Sequence, residues 1–229
     1  MTWLDRPLLA LDTETTGVDP LTARPLSICL GESSRPGRWE PLTLYLDPTG
    51  ITIPEAVVKV HGLTAERLAE LGTTDRVEAM AGVLSDLEDA VRLETPVVGH
   101  NLRYDLTLLA REAQRLGFGP VPRDLIVLDT LVLFRRLYHL TGSRRLGALA
   151  EQNGITFPAH DAEADALASL RLLHIIASKD EVIPHVEPRT LHELQARWYA
   201  ADQTARTEQA FAEARDWTPA FGWPFAAVA

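Results

Sequence analysis

Five residues at three places in this 229-residue chain have the side-chain types that hard-metal chemistry needs. Asp12 and Glu14 stand in Asp12-Thr13-Glu14, Asp105 ends His100-Asn101-Leu102-Arg103-Tyr104-Asp105, and His160 precedes Asp165 by five residues. Carboxylates brought in from different elements suit Mg²⁺ or Mn²⁺, which take oxygen ligands and keep several waters. Four acids close together raise one another's pKa unless cations sit between them, so metal is the economical explanation of such a cluster. Two ions ~3.5–4 Å apart orient a hydroxide and stabilise the charge that develops on a phosphodiester and its leaving 3′ oxygen. An imidazole, titrating near ~6.5, suits removal of the water's proton. The expected product is a nucleoside 5′-monophosphate. An Asp-x-Glu at a strand end is commonplace by itself, and the three stretches carry weight only together.

The elements that must position these residues follow from apolar periodicity. Residues 7–11 form a nearly continuous apolar run ending in Asp12, which predicts a buried strand delivering an acid at its C-terminal end. Strand alternation places Asp12 and Glu14 on one side. Residues 25–31 and 40–46 predict two more strands around the turn-rich 33–37, hence an antiparallel meander. Helices are expected over 64–71 and 74–93, a strand over 96–99, and a helix opened by Asn101 with Asp105 one turn in. A strand at 125–128 precedes helices at 130–139 and 144–153, the second with Ser143 as N-cap and Gly154 as stop. The last long helix of this region is expected over 166–178, with Leu167, Leu170 and Leu173 inward. Strands alternating with helices imply parallel additions to the sheet.

Composition narrows the class. Hydrophobic residues make up 46% of the chain, enough for one substantial core with an appendage. A net charge of −10 argues against non-specific coating of nucleic acid. Between 101 and 150, however, eight arginines stand against four acids, so a locally basic wall is expected as readily as a solvated face. Cys29 is the only cysteine, which excludes an internal disulfide. The N-terminus lacks a secretory leader and no apolar run approaches the ~20 residues of a membrane span, so the expectation is a cytoplasmic protein without membrane contact.

The stretches LDTETTG (11–17), GHNLRYD (99–105) and HDAEADA (160–166), in that order, resemble the three motifs of the DEDDh exonucleases, the family of the DNA polymerase III epsilon proofreading subunit. VHGLT (60–64), LDTLVLFRRL and RLGALAEQNGI resemble supporting segments of the same family, and the likeness covers about 8–178. It implies an α/β, ribonuclease-H-like exonuclease fold: a mixed five-stranded sheet flanked by helices. It also implies a 3′–5′ exonuclease using two Mg²⁺ or Mn²⁺ ions per site. By matching position, Asp12, Glu14, Asp105 and Asp165 would be metal ligands and His160 the general base. Thr13, Thr15, His61 and Tyr104 would line the terminal nucleotide's site. The family usually carries Phe where Tyr104 stands, which bears on substrate fit more than on chemistry.

Other residues have plainer readings. His100, Asn101 and the Asp129-Thr130 pair are expected to cap helices and close turns; His139, His174, His185 and His192 show no metal-like spacing; Glu88, Asp89 and Glu163 are expected on solvated helix faces. Residues 1–180 are thus expected to form the exonuclease domain and 181–229 a helical, aromatic-rich extension. In the extension, Thr190 and Glu193 form a capping box for a helix to about 214. Seven of the fifteen aromatic residues follow Thr190, among them Trp217, Phe221, Trp223 and Phe225, too apolar a tail to stay solvated. Its expected resting place is its own nuclease domain; a homodimer contact and a polymerase or repair partner are the alternatives. The expected substrate is a single-stranded nucleic acid 3′ end, DNA first, with RNA trimming or a non-catalytic interaction subunit as the competing readings.

Overall fold

The computed structural model describes residues 2–35, 37–138, 142–220 and 222–226. Three strands come first, β1 (Leu8–Thr15), β2 (Pro25–Arg35) and β3 (Arg38–Tyr45), then α1 (Glu55–His61), α2 (Ala65–Leu71) and α3 (Arg76–Arg92). There follow β4 (Val97–Gly99), α4 (Leu102–Arg115), β5 (Val127–Asp129), α5 (Thr130–Leu137), α6 (Leu146–Gln152), α7 (Ala162–Ser178) and α8 (Pro188–Ala212). The sheet order is β3-β2-β1-β4-β5. The first three strands pair antiparallel, and β4 and β5 add parallel to β1. This is the mixed five-stranded, helix-flanked sheet that the resemblance implies, and its antiparallel meander and parallel additions are those that the strand and helix patterns imply.

The period of two along β1 decides what each face receives. Leu8 and Ala10 pack with Leu172, Leu173 and Ile176 of α7, whereas Leu11 packs with Met80 and Val83 of α3 and Leu106 and Leu109 of α4. Continuing the alternation, Asp12 and Glu14 belong to the α7 side and Thr13 to the α4 side. Gly99, at the end of β4, allows the tight entry into α4: a Cβ there would lie 2.7 Å from the Leu11 carbonyl oxygen.

Several boundaries differ from expectation. The first strand runs three residues past Asp12, because Glu14 and Thr13 still pair with Ser27 and Ile28 of β2. Helix α7 starts at Ala162 rather than 166, since Asp161 caps it by accepting the Ala164 N–H at 3.0 Å. Helix α1, unanticipated, ends at Gly62 in the left-handed region, φ 73°. Arg145, not Ser143, is the N-cap residue of α6. The expected Thr190–Glu193 capping box is absent: α8 already begins at Pro188, whose ring presets the first helical φ. Glu163 is half-buried and accepts a 3.2 Å hydrogen bond from the Thr43 hydroxyl, so it is not a solvated face. His139 and Phe221 lie outside the described residues.

Helix α8 lies against β5 and α5, at the parallel edge of the sheet. The segment after it turns back to α4: Phe225 is buried among the α3 and α4 side chains, and the Ala226 N–H donates to the Thr107 hydroxyl at 2.8 Å. Arg123 stacks over the Phe225 ring at 4.1 Å. Trp217 is 39% exposed, its indole N–H reaching Thr207 of α8 at 3.2 Å. No helix among the described residues is long and apolar enough to cross a membrane.

Candidate active site

Strand β1, helix α4 and the start of α7 bring the acidic stretches to one end of the sheet. Glu14, His160 and Asp165 each offer a ligand atom within 4.8 Å of the others. Asp12 feels Asp105, Asp165, Glu14 and Asp161 in turn, and burial together with these charges holds its carboxyl well above the ordinary range. Burial, then Asp165, Asp105 and Asp161, pushes Glu14 up to about 8. Burial also raises Asp105 to about 7 against the opposing Thr13 hydrogen bond. Asp165 rises to about 6, mainly from burial, with the His160 backbone N–H acting the other way.

Two contacts order these acids. The Thr13 hydroxyl donates to Asp105 Oδ1 at 2.6 Å, joining β1 to the first turn of α4. The His160 backbone N–H donates to Asp165 Oδ2 at 3.0 Å, which clamps the loop onto the helix it precedes. His160 itself is exposed and adopts φ 67°, a conformation a β-carbon disfavours and a surrounding structure must enforce. No lysine or arginine among the described residues pairs with Asp12, Glu14, Asp105 or Asp165. Carboxylates gathered without a compensating side-chain cation, beside an imidazole, are a donor set that fits a divalent metal ion.

The remaining expected residues brace the site. His61 Nδ1 accepts the Leu63 N–H at 3.0 Å, so its Nε2–H donates to the Thr15 carbonyl at 3.2 Å, and burial lowers its pKa. The Tyr104 hydroxyl donates to the Gly17 carbonyl and shares a 2.8 Å hydrogen bond with the Thr15 hydroxyl. Tyr104 and Thr15 therefore direct their hydroxyls into the turn after β1. Burial pushes the Tyr104 phenol up to about 12.

Cavities open on both sides of His160. One, of about 220 Å³, is lined by Glu14, Tyr45, His61, Arg67, His160 and Asp161. The other, of about 970 Å³, runs past His160 and Asp165 between His100, Asn101, Arg135 and Arg144. Asp161, Tyr45 and Arg67 had no assigned part in the sequence reading. Asp161 sits inside the His160–Ala166 stretch, where its helix-capping position was the available signal; Tyr45 and Arg67 carry none, because only the packing of α2 against the sheet brings them here.

The exonuclease family RNase_T matches residues 9–173. The PolC-type DNA polymerase III of Pediococcus pentosaceus is 25% identical over 149 residues, 65% of this chain and 10% of that protein. The 3′-5′ exonuclease DinG of Staphylococcus aureus is 26% identical over 137 residues, 59% of this chain and 14% of that protein. Among solved structures, E. coli exonuclease I in complex with a dT13 oligonucleotide superposes with a TM-score of 0.63 at 23% identity, covering 75% of this chain and 41% of that one. The chain thus spans about a tenth to a seventh of these curated relatives. Carrying the family's match across its whole sheet and all three acidic stretches, the chain belongs to the RNase_T exonuclease family.

Proposed function

We propose that this chain removes nucleotides from the 3′ end of single-stranded DNA, releasing nucleoside 5′-monophosphates. The observation that carries the reading is the convergence of acids from β1, α4 and α7 beside His160 without a partnering side-chain cation among the described residues. Asp12, Glu14, Asp105 and Asp165 would hold two Mg²⁺ or Mn²⁺ ions. When bound, these supply Lewis-acid polarisation of the phosphate and a lowered pKa for water. His160 takes the proton from the attacking water as the new O–P bond forms. The bond from phosphorus to the 3′ oxygen breaks, that oxygen takes a proton from solvent, and His160 returns the one it holds to solvent. Thr13 orients Asp105, and Asp165 holds the His160 backbone, so the base and the ligands move as one unit. His61, Thr15 and Tyr104 shape the wall against which the terminal nucleotide rests. The polymerase and DinG relatives support DNA as the polymer.

The test is a gel assay on 5′-labelled single-stranded DNA and RNA with Mn²⁺, Mg²⁺ or EDTA. A metal-dependent ladder shortening from the 3′ end, stronger on DNA and lost in Asp12→Ala and His160→Ala, is the expected result. Cleavage that survives both substitutions, or none on either polymer, overturns the proposal.

A further inference from the structure

We propose that the large cleft beside His160 is the track for the strand behind the scissile phosphate, and that Arg135, Arg144 and Arg145 bind its phosphates. This deepens the exonuclease reading and rests on it for the direction of the strand.

The cleft is continuous with the chemistry, because His160 and Asp165 form part of its wall. Its charges are one-sided. Among the described residues three arginines line it, Arg135 being ion-paired with Asp202 of α8, and the one carboxylate in its wall is Asp165, which the proposed metal site uses. The smaller cavity has the opposite balance, with Arg67 against Glu14 and Asp161. A polyanion leaving the site therefore meets favourable potential on one side only, even though the whole chain carries −10.

The basic wall is also built rather than incidental. His100 is half-buried, and desolvation is the chief cause that lowers its pKa. Its Nε2–H donates to the Arg144 carbonyl at 2.9 Å while Nδ1 shares a 2.8 Å hydrogen bond with the Thr130 hydroxyl. That one ring fastens the arginine-bearing loop to the ends of β4 and β5. The loop is further shaped by the Arg145 N–H on the Ser143 hydroxyl at 3.3 Å. Arg135, on α5, is held from outside by Asp202 of α8 at 3.4 Å. Arg145 is exposed and Arg144 half-exposed, so both face an incoming strand. Arginine, a planar donor fork, suits phosphate recognition.

The experiment is fluorescence anisotropy of a labelled single-stranded DNA in EDTA, titrated at several salt concentrations. Wild type is compared with Arg144→Ala/Arg145→Ala, with the charge-keeping Arg144→Lys/Arg145→Lys, and with Arg38→Ala/Arg92→Ala as a charge-matched control away from the cleft. Single strands release counterions with a slope of about 0.7 per neutralised phosphate. The alanine pair is expected to bind more weakly and to lower the slope of log K against log salt by about 1.4, while the lysine pair keeps most of the slope and the control all of it. With Mn²⁺ added, the alanine pair is expected to lose more activity on the oligonucleotide than on the p-nitrophenyl ester of thymidine 5′-monophosphate, chiefly through KM. Affinity and slope equal to wild type in a folded alanine pair overturn the track, whatever the enzyme cleaves. A wild type that binds with the expected slope and cleaves nothing overturns the exonuclease reading and leaves the cleft as a strand-binding surface.

Discussion

The Gln195 carboxamide of α8 accepts the backbone N–H of Asp129 at 2.8 Å and donates to the Val127 carbonyl at 3.0 Å, standing in for the neighbour strand that β5 lacks. His192, one turn earlier, accepts the Val127 N–H at 3.0 Å. A helix thus closes a sheet edge whose free backbone groups would otherwise invite another chain. The closed strand ends in Asp129, whose Oδ1 accepts the N–H groups of Leu131 and Asn101 at 2.9 Å each, linking β5 to the start of α4, the helix that carries Asp105.

Replacing Gln195 by Leu keeps the bulk and strands two backbone groups in a fully buried place. At about 1–3 kcal/mol for each unsatisfied group, the expected loss is about 2–6 kcal/mol. Urea unfolding checks it; a variant within 0.5 kcal/mol of wild type, on the order of a neutral surface change, would show that the edge is satisfied by other means.

Glu112 is fully buried and meets Arg76 at 2.6 Å and Arg24 at 2.6 Å, with Arg115 at 3.4 Å. Arg76 also donates to the Pro25 and Asp47 carbonyls at 2.9 and 3.2 Å, so the cluster ties the far end of α4 to the sheet. Glu112→Ala leaves Arg76 buried without its carboxylate and is expected to cost about 3–5 kcal/mol. Arg115→Ala, at the more exposed rim, is expected to cost under about 1 kcal/mol. Thermal unfolding of both variants gives the comparison.

The site acids make metal-free protein less stable in mild alkali. Glu14 near 8, Asp105 near 7 and Asp165 near 6 all lie above the ~4 of an unfolded carboxyl, so between these values the folded state holds more protons. Stability is then fully present below about pH 4 for these groups and is lost as pH rises through 6 to 8. Chelated protein is expected to melt at a lower temperature at pH 8.5 than at pH 6, and millimolar Mn²⁺ to raise the pH 8.5 value most. Asp12→Asn, with one charge fewer, is expected to melt higher than wild type at pH 8.5 when metal is absent. A flat pH profile in EDTA speaks against the cluster.

Thr13→Val removes the hydroxyl that holds Asp105 while keeping the branched shape a strand accepts. Groups that orient metal-binding carboxylates typically contribute 10–100-fold to affinity, so Mn²⁺ is expected to bind about that much more weakly. Calorimetric titration of Mn²⁺ measures it, and unchanged affinity would reduce the 2.6 Å contact to packing.

Periodicity and turn chemistry determined much of the frame. The apolar run before Asp12, the turn between β2 and β3 and the helical stripes after 96 were sufficient for an antiparallel meander with parallel additions, because alternation and 3.6-residue spacing are local consequences of burying one face. The parity of β1 likewise follows from order alone, with Asp12 and Glu14 to one side and Thr13 to the other. The tertiary structure decided where those sides lead. Thr13 meets Asp105 across 92 positions, Gln195 finds Asp129 across 66, and His100 reaches Arg144 across 44. Only after α4, α7 and α8 dock do these side chains share a place. No spacing rule encodes such contacts: a single hydroxyl, amide or imidazole leaves no periodic trace, and its partner is selected by how the apolar faces of distant elements pack.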